Sequence, residues 1–133
     1  MNAIIYLSLL VALVTQASAD KEISEDCARE NKIEPDSAFT IFVNGPENQA
    51  EKCYLGCMFR RFGVIKDGKF DREGTLAMAD LKFKNDPKKL EIVDRIIEDC
   101  AQHSKATDEC ETGAELQKCV ESHGKELFGA EKQ

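Results

Sequence analysis

Glu47-Asn48-Gln49-Ala50-Glu51-Lys52-Cys53-Tyr54-Leu55-Gly56-Cys57-Met58-Phe59-Arg60-Arg61-Phe62 is the stretch that decides the architecture of this chain. On a helix over Glu47 to Phe62, Cys53 and Cys57 share one face, while Leu55, Met58, Phe59 and Phe62 gather on the opposite side. Such a helix is tied by sulfur to its neighbours on one side and looks into an apolar interior on the other. It is expected to be central.

Working outward, four more cysteines, Cys27, Cys100, Cys110 and Cys119, bring the total to six, an even set in a short chain and so a framework of disulfides. Six cysteines allow 15 pairings. Cys53 and Cys57 lie one turn apart on a single helix and do not readily reach bonding distance. Cys110 and Cys119 fall on opposite faces of one predicted helix, roughly 13 Å apart along its axis. Barring these two pairs leaves ten of the 15 pairings open.

The thiols are placed in an oxidising compartment by the amino-terminal residues. Residues 1–19 contain no Asp, Glu, Lys or Arg, and the apolar run Ile4 to Val14 is far shorter than the roughly 20 residues that cross a bilayer. Ala17, Ser18 and Ala19 follow it as small residues suited to a signal peptidase. The only departure from the usual pattern is the absence of a charged n-region. Residues 1–19 are therefore expected to be a signal peptide cleaved after Ala19, and residues 20–133 one secreted helical domain. No second apolar run predicts stable membrane insertion.

Helical spacing of apolar residues recurs along this domain, most clearly at Leu90, Val93, Ile97 and Cys100, and no β-type alternation competes with it. That segment has a capping Asp86, Pro87 at the first helical position and an expected end near His103. Other helices are expected over Lys21 to Lys32, Pro35 or Asp36 to Val43, Asp71 to Leu81 and Asp108 to Ser122. Between Phe62 and Asp71, the Asp67-Gly68 pair suits a tight turn. The fold class is all-α.

Composition removes several functions. A formal net charge of −7 repels a phosphate backbone, and Arg60-Arg61 and Lys88-Lys89 are short enough to belong to solvated faces, so no nucleic-acid role is expected. The only histidines, His103 and His123, lack paired zinc-ligand spacing, and Asp67-Gly68 followed by Asp71 lacks the oxygen pattern of a calcium loop. No nucleophile elbow, zinc-protease helix or phosphate loop is present, and no Asn lies in a glycosylation sequon. Neither metal, cofactor nor catalytic residue is predicted.

The Cys-x3-Cys pair of Cys53 and Cys57, the long gap and the Cys-x8-Cys pair of Cys110 and Cys119 resemble the pheromone-binding and general odorant-binding family of insects. Cys53-Tyr54-Leu55-Gly56-Cys57, Ile65-Lys66-Asp67-Gly68-Lys69-Phe70 and Asp108-Glu109-Cys110-Glu111-Thr112 carry the resemblance locally. It implies bridges Cys27–Cys57, Cys53–Cys110 and Cys100–Cys119, interlocked within a compact six-helix domain around a buried apolar cavity. It also implies a carrier of odorants, pheromones or related volatiles and lipids in extracellular fluid such as sensillar lymph. An olfactory receptor is a further candidate partner, with the protein a monomer or weak homodimer. A non-olfactory carrier or a protein-interaction role on the same fold is the alternative.

For such a cavity the apolar wall candidates are Phe39 and Phe42, then Leu55, Met58, Phe59 and Phe62 of the central helix, and Leu76 and Met78 of the next. Leu90, Val93, Ile97, Leu116 and Val120 complete the interior set, and Leu127 with Phe128 is expected to fold back over the pocket. Flexible thioethers at Met58 and Met78 suit ligands of varied shape. Tyr54 is the candidate for a hydrogen bond to ligand, although a tyrosine at the edge of the core fits its position better. His103, near its helix end, is a candidate pH sensor, although an exposed histidine without that role fits its position better.

Overall fold

The structure, a computed structural model, describes residues 20–124. The expected signal peptide and the Leu127-Phe128 pair lie outside these residues. Helix α1 occupies residues 20–30, and a 3-10 turn, Pro35–Ser37, leads into α2, Ala38–Asn44. Then come α3, Gln49–Arg61; a two-stranded hairpin of β1, Ile65–Lys66, and β2, Lys69–Phe70; α4, Arg72–Phe83; α5, Pro87–His103; and α6, Glu109–Ser122.

Local chemistry sets these boundaries. The central helix begins two residues later than expected because Asn48 is its cap. The Asn48 side chain accepts from the Glu51 amide at 2.9 Å, and Glu51 Oε1 accepts from the Glu47 amide at 3.1 Å. Asp86 caps α5 through the Lys89 amide, with Pro87 as its first residue, and Asp108 Oδ1 accepts from the amides of Cys110 and Glu111. The first helix stops at 30, short of the expected Lys32. Lys32 takes a φ of 57°, and the Ile33 amide turns back to the Ala28 carbonyl at 2.8 Å. Asp67 and Gly68, with φ of 54° and 82°, form the mirror-image turn that matches strand twist, and Ile65 pairs with Phe70 and Lys66 with Lys69.

The most extensive helix pairing is α3 against α6, followed by α4 against α5. Close approach in the first pair depends on missing side chains. A Cβ on Gly113 would stand 2.5 Å from the Gly56 nitrogen, and one on Gly56 would stand 2.5 Å from the Glu109 carbonyl oxygen. Three bridges lock the arrangement, Cys27–Cys57, Cys53–Cys110 and Cys100–Cys119, which is the pairing that the family resemblance implies. Through Cys53 and Cys57, α3 is bonded to both α6 and α1.

Two apolar clusters fill the interior. One joins Cys27, Ala28, Ile41, Tyr54, Leu55, Cys57 and Met58; the other joins Val64, Ile65, Ile96, Cys100 and Leu116. Phe59 and Phe62 pack against both, so the last two turns of α3 connect the two halves of the core. The aromatic contacts continue outward, with the Phe42 ring edge-on to Tyr54 and to Phe59 at centroid distances of 6.3 and 6.1 Å.

Candidate ligand-binding site

Past the buried turn of α3, the chain reverses through Gly63 and the hairpin and returns as α4. This brings the end of α3 beside α4 and the start of the described chain. Between them lies a half-open depression of about 960 Å³, lined by Asp20, Arg61, Phe62, Gly74, Ala77, Met78, Leu81, Lys82, Phe83 and Lys84. The α4 contribution follows helical geometry: Gly74, Ala77, Met78 and Leu81 recur at i, i+3, i+4 and i+7 and form one apolar stripe. Thr75 and Ala79, on another face of α4, are buried. Leu81 is 75% exposed, an apolar side chain presented to the mouth rather than withdrawn into the core. The volume suits a small ligand.

A second depression of about 280 Å³, on Lys69, Phe70, Ala101, Ser104, Lys105, Ala106 and Thr107, is smaller and more polar. Its lining includes Ser104, Lys105 and Thr107.

The wall candidates are distributed unevenly around the main depression. Phe62 and Met78 line it. Leu55, Met58, Ile97 and Leu116 are buried in the core, Phe59 packs against both clusters, and Leu76, Leu90 and Val93 are half-buried. Phe42 is 37% exposed but stacked edge-on against Tyr54 and Phe59. Phe39 is 76% exposed, because Ala38 and Ile41 supply the inward side of the short α2 and Phe39 points away from Ile41. Val120, in the last turn of α6, is 46% exposed. In α5, Ile96, Ile97 and Cys100 are buried and Leu90, Ile92 and Val93 half-buried, so the inward face is wider than the Leu90, Val93, Ile97 and Cys100 stripe and takes in Ile92 and Ile96 as well.

Sequence reasoning did not single out Ala77, Leu81 and Phe83, nor the cations Arg61, Lys82 and Lys84. The i, i+3, i+4, i+7 recurrence at Gly74, Ala77, Met78 and Leu81 was the available signal. The cations come from two helix ends that meet only in the folded chain.

Tyr54 does not sit at the core edge and does not line the depression. It is fully buried, and its hydroxyl lies 3.0 Å from Ser24 Oγ, joining α3 to α1. The two histidines converge on Asp99: His123 Nε2 is 2.7 Å from Asp99 Oδ2, and His103 Nδ1 is 2.8 Å from the Asp99 carbonyl oxygen. The hydrogen bond from His123 holds the Asp99 carboxyl below its usual range, with the charge of His103 adding to it. Asp99, His123 and Cys119 place their ligand atoms within 4.8 Å of one another, but the Cys119 sulfur is spent in its bridge to Cys100 and offers no thiolate. No helix among the described residues is long and apolar enough to cross a membrane.

Solved structures share this arrangement. Odorant-binding protein OBP28a from Drosophila melanogaster is similar with a TM-score of 0.68 and 27% identity, over 85% of this chain and 96% of its own. The fatty acid binding protein OBP56a from the oral disk of the blowfly Phormia regina gives 0.63 and 24% over 85% and 95%. Odorant binding protein OBP1 of Locusta migratoria gives 0.64 and 23% over 84% and 83%. Among curated proteins, none matches the chain significantly. All three are binding proteins by name, and the chain shares their overall fold. With the family model matching residues 13–123, the chain belongs to the PBP/GOBP family, the pheromone-binding and general odorant-binding proteins.

Proposed function

We propose that this protein is a secreted carrier that takes up small hydrophobic ligands, odorants, pheromones or related volatiles and lipids, and moves them through aqueous extracellular fluid. The observation that carries this reading is the apolar stripe of α4 facing Phe62 across an open depression, on the fold of a binding-protein family. Affinity comes from the apolar area a ligand loses to water, about 25 cal/mol per Å² before association costs, which places a small volatile near micromolar dissociation constants. Cleavage after Ala19 releases the mature domain, and its bridges fit the oxidising compartment beyond.

The test uses oxidised residues 20–133 and the fluorescent probe N-phenyl-1-naphthylamine, displaced by volatiles, fatty acids and long-chain alcohols. Micromolar displacement is expected. Leu81→Asp, at an exposed position, should weaken it by about tenfold without changing the fold, because it places a charge on the apolar surface. Failure of the correctly bridged protein to bind the probe would remove the carrier reading. It would favour protein interaction instead, for which Phe39, Phe42, Val43 and Val120, exposed on the contacting helices α2 and α6, provide an apolar surface.

A further inference from the structure

The lining of the depression runs against the charge of the chain. The whole protein carries a formal net charge of −7, yet three of the residues around this mouth are cations, Arg61, Lys82 and Lys84, against one carboxylate, Asp20. The cations and the apolar floor are adjacent, since Lys82 Nζ lies 5.2 Å from the centroid of the Phe62 ring. The mouth cations are also loosely paired. Lys82 and Asp20 are 3.9 Å apart, as are Arg61 and Asp26, beyond hydrogen-bonding distance. By contrast, Arg60 meets Glu109 at 2.7 Å and Lys52 meets Glu111 at 3.3 Å. Cations at the ends of α3 and α4 suit the negative poles of those helices. That accounts for each one singly, but not for three around one apolar floor.

We propose, resting on the carrier reading above, that the preferred ligand is an amphipathic anion: an acyl chain lying on Phe62 and the α4 stripe, its carboxylate held at the lip by Arg61, Lys82 and Lys84. An ionised carboxylate accepts the unused donors of Arg61 and Lys82 as charge-assisted hydrogen bonds, and the planar fork of Arg61 can grip both oxygens. Alcohols and esters of the same length gain the apolar contact alone. The selectivity is therefore carried by the head group and is sensitive to salt, while the chain contributes affinity that salt does not screen.

The experiment compares displacement of the same probe by dodecanoate, dodecanol and methyl dodecanoate near pH 7, where the acid is ionised. It uses oxidised residues 20–133 and the triple variant Arg61→Gln, Lys82→Gln, Lys84→Gln, with circular dichroism as a check on folding. Dodecanoate should bind about five- to tenfold more tightly than dodecanol at low ionic strength, as expected for half-exposed charge-assisted contacts. High salt should shrink the difference, and the triple variant should abolish it, dodecanoate then binding no more tightly than dodecanol. Equal affinity for acid and alcohol in the unmodified protein would overturn the head-group assignment and leave the carrier reading standing. Acid preference surviving in the triple variant would overturn the choice of residues. Binding of none of the three ligands by the folded, bridged chain would overturn both the proposal and the carrier reading beneath it.

Discussion

Gly113 and Gly56 face each other where α3 crosses α6, and each excludes a side chain there because the nearest backbone atom would be 2.5 Å from it. Gly113→Ala should therefore cost about 2 kcal/mol or more, seen as a lower urea midpoint of the oxidised protein, since a backbone cannot step aside as a side-chain tip does. Tyr54→Phe should cost about 1 kcal/mol, the net value of its bond to Ser24. Asp99 predicts a pH effect whose sign is fixed by its lowered pKa. Its contribution is fully present above the unfolded carboxylate pKa and is lost as pH falls through the folded value. The Tm difference between the native protein and Asp99→Asn should thus be largest above about pH 4 and fade under more acidic conditions. Identical Tm curves would show that the His123 contact contributes nothing. The cysteine pairing illustrates what single residues disclose: helix geometry leaves ten pairings open, and only likeness to a family selects the observed three. The burial of Tyr54 was not legible at this scale, because its partner Ser24 lies 30 positions away on another helix.

Helix boundaries were the most legible part of the chain, because caps are local. Asp86 with Pro87 and Asp108 act where their sequence contexts place them, and Asn48 with Glu51 moves the start of α3 by two residues through an equally local bond. Asn48→Ala should cost about 1 kcal/mol, measured by the same urea titration. Which face of a helix turns inward is less local. Phe39 on α2 has suitable apolar character but is exposed while Ile41 is buried, and on α5 the inward face reaches beyond Leu90 and Val93 to Ile92 and Ile96. Phe39→Ser should accordingly change stability by no more than about 0.5 kcal/mol and leave probe affinity intact. A large loss of affinity would place Phe39 in the pocket after all. The short hairpin was legible as a turn through Asp67-Gly68, whereas its strands, two residues each, are too short to leave an alternation in the sequence.

At the scale of the whole molecule, the bridges divide the work unequally. Cys53–Cys110 closes 57 residues of chain, Cys27–Cys57 closes 30 and Cys100–Cys119 only 19. On loop entropy alone the first should contribute about 4 kcal/mol and the last about 3 kcal/mol. Paired Cys→Ser variants should therefore lose stability in that order when their urea midpoints are compared, and a reversed order would show that native packing outweighs loop length. The all-α class and the bridged framework were legible because cysteine spacing and helical periodicity survive in one dimension. The mouth of the depression was not, because it assembles Asp20, the end of α3 and the length of α4 from distant parts of the chain. Asp20 is also the residue that maturation would leave first. Whatever precedes it, whether a leader or the scar of a purification tag, is covalently attached to a residue that lines the depression, so on the carrier proposal trimmed and untrimmed recombinant protein should differ in affinity.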